Sequence, residues 1–458
     1  MKPKVLIPPP VAAECRAVAH LGVGFGRRFF FLSLLGLLWA IPAFWDHRFL
    51  LVMAAWDFCA IVAWVADLLR LPRPSQVKVT RNWSGTPSLS NDTDIILVLE
   101  NGGSLDLHCR LMDDVPATLR KSPPEIELTV PGKGSASSGY AVRPLQRGNN
   151  RLGPVYLRYQ SGARFAERWV VANVEQSVRI FPDLEEARKQ NLYLTRARQI
   201  ELEMRLVRQR GTGREFESLR EYREGDEFRN ICWTATARRG KYVSKIHQVE
   251  RSQAVWLVLD AGRLLRAKVG ELSKLDMSVN AALSLAQIAL HSGDRVGLLV
   301  YGRKIQQRIA PNRGLPHLRT ILESLADARE EAAEADHLLA ASVLLQMQKQ
   351  RSMVLWITDL ADTSMTPEVI ESASQVLSKH LLLFTVMAQT DLTAMAEVIP
   401  NDGKELFEMV AAQEIVQRRE ILLTRVATKG ALALEVAPGK LATTLVNQYL
   451  QAKERNLI

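Results

Sequence analysis

Two apolar runs stand out near the start of an otherwise mixed chain. The first is Phe29–Phe44 and the second Phe49–Leu69, with only Trp45-Asp46-His47-Arg48 between them. Each is close to the roughly 20 residues that span a bilayer. The short link predicts a tight helical hairpin, so residues 29–70 read as two transmembrane helices. Arg27 and Arg28 precede the first run, and Arg70, Arg73, Lys78 and Arg81 follow the second. By the positive-inside rule both flanks lie in the cytoplasm. This gives a cytoplasmic N-terminal segment over residues 1–28 and a two-pass protein of the inner membrane. A buried hairpin of a soluble domain would need apolar cover that nothing nearby supplies. The first run begins near residue 29 with no small-residue cleavage site, so no cleavable signal peptide is expected. Asp57 lies in the middle of the second run beside Trp56, where a carboxylate often marks function and could equally contact the partner helix or a second protomer. Asp67, near its end, can reach the interface.

From residue 75 the period changes to two. Gln76–Trp83 and Asp94–Glu100 alternate apolar and polar positions, and Asn101-Gly-Gly is a turn signal. Further short strands follow up to Phe181. Residues 75–182 therefore predict a β-sandwich of immunoglobulin type, serving as a spacer or protein-binding module. Asp183-Leu-Glu-Glu then opens a helix that runs to about Gln209 and carries many arginines. Its basic stretch, 187–210, is a solvated face or a surface for an acidic partner. Beyond residue 250, apolar strands such as Val255–Asp260 and Met353–Asp359 alternate with amphipathic helices. That alternation predicts an α/β domain over 251–458 with a mostly parallel, doubly wound sheet.

Between these parts, residues 183–250 hold the most unusual stretch of the chain. It reads Gly211-x-Gly213-x-Glu215-Phe216, Leu219-Arg220-x-Tyr222, Gly225-Asp226-x-x-Arg229-x-Ile231-x-Trp233 and Ala237-Arg238. Aromatics, arginines and carboxylates interleave with glycines at set points. Taken together these elements resemble a bacterial family known as domain of unknown function 58, with the likeness covering most of residues 140–390. The resemblance implies a membrane-anchored protein with a von Willebrand factor A-like region, often encoded beside a MoxR-type AAA+ ATPase. Arg220, Tyr222, Gly225, Asp226, Arg229, Trp233 and Arg238 are the candidate binding residues of this motif, because interfaces favour arginine and aromatic anchors. Asp226 and Trp233 are expected to be structural, and Arg220 and Arg229 at least partly exposed.

Charge and chemistry narrow the function further. The net charge of +10 over 458 residues suits a cytoplasmic membrane face or acidic partners and does not single out nucleic acid. Cys15, Cys59, Cys109 and Cys232 have no metal-ligand spacing and should be reduced. Asp260 and Asp359 each end an apolar strand and could hold a hard divalent cation such as Mg²⁺ in the strand-end crevice. The von Willebrand A pattern, however, is Asp-x-Ser-x-Ser. Here Gly262 and Leu264 replace both hydroxyls, and Arg263 adds a positive charge. A degenerate site without a tightly bound cofactor is the expectation. Asp260 would then cap the following loop or pair with Arg263. Gly297-Leu-Leu-Val-Tyr-Gly302-Arg-Lys fails as a phosphate loop, and no serine sits in a Gly-x-Ser-x-Gly elbow. With no complete catalytic constellation, the chain reads as a membrane-anchored cytoplasmic scaffold or adaptor. It would work with a MoxR-type AAA+ ATPase in protein assembly or maturation, touching membrane lipid and client proteins. Two rivals stand: a metal-dependent hydrolase using Asp260 and Asp359, and a lipid- or nucleic-acid-binding protein using the basic helix 187–210.

Overall fold

The computed structural model describes residues 7–18, 22–183, 215–223, 228, 231–248, 253–360, 366–455 and 457. The basic helix expected over 187–210, and Gly225, Asp226 and Arg229 of the motif, lie outside the described residues. The chain divides into two compact units, residues 1–183 and 184–458.

The first unit is β-rich. Its strands are β1 (Val11–Ala17), β2 (Val23–Phe25), β3 (Val77–Trp83), β4 (Thr93–Asn101), β5 (Leu107–Asp113), β6 (Glu125–Val130), β7 (Ser135–Val142), β8 (Gly148–Leu152), β9 (Val155–Gln160), β10 (Ala166–Ala172) and β11 (Gln176–Ile180). The main sheet path runs β6-β5-β9-β10-β1-β3-β4-β7, all antiparallel, with β2 on β10 and a separate β8–β11 ribbon. β1 joins two sheets. Val11–Glu14 pair with β3, and Cys15–Ala17 pair with β10. Alternate residues turn inward, as the period-two pattern demands. Val77, Val79, Ile95, Leu97 and Leu99 meet Leu107, Leu111, Leu157 and Tyr159 in one core. Burial pushes the Cys15 and Cys109 thiols up to about 12, which keeps both inert. All four cysteines are free.

The strands β1 and β2 correct the reading of residues 1–28 as a segment apart from the sandwich. The stretch Val-Ala-Ala-Glu-Cys-Arg-Ala is short and rich in alanine, so its alternation is faint in sequence. Tertiary pairing on both edges makes it a strand regardless.

The helical segment enters between β2 and β3. The first apolar run is not one α-helix. It forms α1 (Arg27–Gly36), a 3₁₀ turn over Leu37–Trp39 and α2 (Ala40–Ala43). Pro42 has no N–H to give to the preceding turn, which favours the break. The second run is a continuous helix, α3 (Arg48–Arg70), of mean hydropathy 2.1 in its most apolar stretch. Among the described residues it is the one helix long and apolar enough to cross a membrane. Its C-terminal end is locked to the β unit. The buried Asp67 carboxylate accepts hydrogen bonds from Ser161 Oγ at 2.5 Å, Phe165 N at 3.0 Å and Ala166 N at 2.9 Å. Trp64 Nε1 donates to Gly24 O at 3.2 Å. Near the end of its run Asp67 can reach the interface, but here it faces inward, where the donors of Ser161, Phe165 and Ala166 converge on it.

The second unit opens with β12 (Glu215–Glu221), α4 (Trp233–Arg239) and β13 (Val243–Gln248), in which β12 and β13 pair antiparallel. Next come β14 (Ala254–Asp260), the short pair β15 (Lys268–Val269) and β16 (Leu272–Ser273), α5 (Lys274–His291), β17 (Arg295–Tyr301), β18 (Ile305–Asn312), α6 (Gly314–Asp327) and α7 (His337–Met347). The chain continues through β19 (Met353–Thr358), α8 (Thr366–Leu377), β20 (Leu381–Met387), α9 (Thr390–Glu397), α10 (Gly403–Thr428), β21 (Leu432–Val436) and α11 (Leu441–Glu454). The central sheet has the order β18-β17-β14-β19-β20-β21. All its pairs are parallel except β17–β18. Both faces are covered, so β14 and β19 are buried at every position. Trp256, Val258, Tyr301, Trp356 and Phe384 pack on one face with Leu344, Val369, Ala373, Leu422 and Val426. Alternation sends Val255, Leu257 and Leu259 to the other face, where α5 packs on β14, β17, α6 and α11. The strand order reverses between β14 and β19, which in open α/β sheets opens a crevice at the carboxyl ends.

Candidate functional site

Asp260 and Asp359 stand at that reversal, and both are buried. Asp260 follows the expected loop-capping role: its Oδ1 accepts the Gly262 N–H at 2.7 Å. Its Oδ2 accepts the Thr358 hydroxyl at 2.6 Å. Arg263 pairs with Glu334 at 2.6 Å rather than with Asp260. Burial pushes the Asp260 carboxyl above its ordinary range, against the pull of His337 and of its two hydrogen bonds.

Asp359 is held by cations the chain itself supplies. Its Oδ2 accepts from Lys274 Nζ at 2.5 Å and from Gln389 Nε2 at 3.3 Å. Its Oδ1 accepts from Arg419 Nη1 at 2.9 Å and Leu360 N at 2.8 Å. Arg419 is buried and also donates to Met387 O, Leu360 O and Glu435 Oε1. Lys274 begins α5, Arg419 lies within α10 and Gln389 follows β20, so three separate elements converge on one carboxylate. A divalent cation at Asp359 would face a fixed ammonium and a fixed guanidinium. Gly262 leaves no room for a hydroxyl ligand either. A Cβ there would lie 2.9 Å from both Ala335 Cβ and Ala335 N, and 3.0 Å from Asp260 Oδ1. The residues present do not fit a metal ion. Among the described residues, no group of three or more His, Cys, Asp or Glu could hold one.

Behind Asp260 runs a buried polar chain. Trp356 Nε1 donates to the Tyr301 hydroxyl at 2.7 Å, and that hydroxyl shares a hydrogen bond with His337 Nδ1 at 2.8 Å. Burial pushes His337 below its ordinary range, opposed by Asp260 and Asp336.

The motif forms a separate feature. Arg220 and Tyr222 lie on and just beyond β12, and Trp233 and Arg238 on α4. Tyr222 N–H donates to Tyr242 O at 2.8 Å, and Cys232 N–H to Val243 O at 2.8 Å, which ties hairpin and helix together. Gly240 adopts the left-handed conformation after α4, φ 64°, and so turns the chain into β13. The Tyr222 ring sits between Phe228 at 5.9 Å and Tyr242 at 6.3 Å. Phe228 is 77% exposed, Trp233 64% and Tyr242 60%. Arg223, Arg238, Arg239 and Lys241 are exposed in the same unit, and Lys241 pairs with Glu221 at 3.3 Å. Trp233 was expected to be structural. It instead opens α4 on the outer side, while Ile231 and Cys232 just before it are the buried residues. Arg220 is half-buried.

Sequence reading singled out Asp260, Asp359 and the motif, but not Lys274, Gln389 or Arg419. Those three reach Asp359 from 30 to 85 positions away, and no local spacing signals such a meeting.

Comparison with known proteins bears out the resemblance. Residues 218–423 match the family described as Protein of unknown function DUF58. The match starts later and ends later than the 140–390 expected. An uncharacterized protein of Mycobacterium tuberculosis is 27% identical over 151 residues, which is 32% of this chain and 48% of the relative. An uncharacterized protein of Mycobacterium bovis matches to the same extent. The chain spans about half the length of these curated relatives. Among solved structures, the conserved hypothetical protein BatB from Bacteroides thetaiotaomicron is similar at TM-score 0.31 and 13% identity, over 44% of this chain and 100% of that one. The pilus adhesin SpaC from Lactobacillus rhamnosus GG is similar at TM-score 0.33 and 9% identity, over 45% of this chain and 31% of that one.

Proposed function

We propose that this protein is a two-pass, inner-membrane-anchored adaptor that presents its cytoplasmic domains to an acidic partner protein. The observation that carries the adaptor reading is the aromatic and basic hairpin. Phe228, Trp233 and Tyr242 are exposed among Arg223, Arg238, Arg239 and Lys241. Large rings beside arginines are what interfaces use as anchors. The partner is then a protein with an acidic surface, and a MoxR-type AAA+ ATPase is the candidate that the family resemblance suggests. The central sheet, with its strand-end aspartates, is read as von Willebrand factor A-like and the first unit as an immunoglobulin-like sandwich.

The two-pass topology has its own support. β1 and β2 precede the helices, β3 and β10 follow them, and all four pair in one sheet system. A single crossing by α3 would put neighbouring strands on opposite sides of the bilayer. The residues of α1 and α2 therefore provide the other limb, and the flanking arginines set both ends in the cytoplasm. The hydrolase reading loses support, because Lys274 and Arg419 occupy the carboxylate it needs.

The test is affinity capture of the partner ATPase by the tagged full-length protein in detergent, repeated with Trp233→Ala and Tyr242→Ala. Retention by the native protein and loss in both variants is the expected result. Equal retention by all three would remove the hairpin from the reading.

A further inference from the structure

The helical segment carries a feature that anchoring alone leaves without a role. A surface groove of about 500 Å³ runs between α1 and α3, lined by Phe30, Ser33, Leu34, Leu37, Asp57 and Ile61. Four of these are apolar and well exposed. The two polar ones, the Ser33 hydroxyl and the Asp57 carboxylate, face an otherwise apolar trough. Asp57 comes to this place because Gly36 lets the helices approach. A Cβ at Gly36 would lie 2.8 Å from Asp57 Oδ1 and 2.8 Å from Trp56 Cδ1. Trp56 Nε1 donates to Leu32 O at 3.0 Å and fixes the register of the two limbs. Asp57 is thus held at the rim of the groove, mid-way along a helix that otherwise lacks charge from Phe49 to Ala66. A carboxylate at that depth is costly unless it is paired, and such residues are usually turned toward a partner.

The choice of partner follows from charge. Neither apolar run contains a lysine, arginine or histidine: none occurs from Phe29 to Asp46, nor from Phe49 to Leu69. A second copy would bring only another carboxylate to the same depth. We infer that the groove between α1 and α3 is an intramembrane docking site for a transmembrane helix of a different protein, one carrying a single basic side chain near its middle. The ammonium or guanidinium would meet Asp57, the Ser33 hydroxyl would accept a further hydrogen bond, and the partner's apolar side chains would fill the trough. This rests on the two-pass reading, and it adds a membrane-embedded client or subunit to the cytoplasmic partner.

The test uses the full-length protein reconstituted in phosphatidylcholine vesicles, with p-benzoylphenylalanine placed at Leu34. The probe is a polyleucine helix with one central lysine; the control is the same helix without it. Light-induced cross-linking should favour the lysine helix by about tenfold or more. It should fall to the control level in Asp57→Asn and recover in Asp57→Glu. Equal cross-linking of both helices, or full cross-linking in Asp57→Asn, would overturn the inference. Alkaline extraction of the native protein from the vesicles would overturn the two-pass reading, and this inference with it.

Discussion

Val11 on β1 lies opposite Arg81 on β3, although both apolar runs separate them in sequence. Arg81 is itself a core residue. Its guanidinium is wholly buried, pairs with Asp113, and donates to Val174 O at 2.7 Å and Gly153 O at 2.9 Å. The Asp113 carboxylate also accepts the Tyr140 hydroxyl at 2.6 Å. The strand that receives the N-terminal segment is therefore among the most firmly fixed in its unit, and the helical segment leaves and re-enters at one place.

Together with the proposed two-pass topology, this pairing predicts the exposure of the link at Asp46. In a Cys59→Ala background, a cysteine replacing Asp46 should react with an impermeant maleimide applied to intact spheroplasts. A cysteine replacing Lys121, in a loop of the β unit, should react only after lysis. Reaction of the Lys121 position before lysis would place the β unit outside.

Asp67 ties α3 to the turn before β10 through three hydrogen bonds. Asp67→Ala would leave the Phe165 and Ala166 amides without their acceptor. Buried donors stranded in this way cost about 1–3 kcal/mol each, so for the two amides a loss of roughly 2–6 kcal/mol is expected in urea unfolding of the detergent-solubilised protein. A loss within ordinary surface values, under about 0.5 kcal/mol, would mean that the turn holds itself.

The cluster at Asp359 predicts two results. Asp359→Ala would leave Lys274 and Arg419 buried without their counter-charge, at a cost of about 3–5 kcal/mol. Millimolar Mg²⁺ should leave the melting temperature of the native protein unchanged. A site filled at 100 times its dissociation constant would add about 2.7 kcal/mol, which calorimetry would register as a clear rise.

His337 gives the protein an acid-sensitive component. Burial holds it below its ordinary value, so between that lowered value and about 6.5 the unfolded chain binds the extra proton. Stability from this group is complete above about pH 6.5 and is lost as pH falls through the window, by up to about 1.4 kcal/mol per pH unit. Asp260 acts with the opposite sign. Its raised value means the folded state holds a proton that the unfolded chain gives up above about pH 3.9, so its contribution falls as pH rises toward the folded value. His337→Gln should lose less stability than the native protein between pH 6.5 and 5.5. His380, also pushed down by burial, stays in both and cancels in the difference. Parallel pH profiles would assign the effect elsewhere.

Much of the architecture was legible in the chain. Alternation in Asp94–Glu100 and the unbroken apolar runs of Val255–Leu259 and Met353–Ile357 are local signals, and the strands they predict form. What escaped depends on distance. β1 is a strand only because β3 and β10 flank it, and its alanines carry little signal of their own. Pro42 breaks a run that hydropathy alone reads as continuous. Asp359 was visible as a strand-end acid, but its meaning changes once Lys274 and Arg419 are beside it. Trp233 is expected to be structural, yet at the first position of α4 it is exposed, while Ile231 and Cys232 before it are buried.

The most direct test of the account is binding of the MoxR-type ATPase to the full-length protein in nanodiscs, by titration at two salt concentrations. The account predicts saturable binding that weakens with salt. Trp233→Ala and Tyr242→Ala should each reduce it about tenfold or more, at a cost to folding stability below about 1 kcal/mol. Binding that is unchanged in both variants, or absent in the native protein, would contradict it.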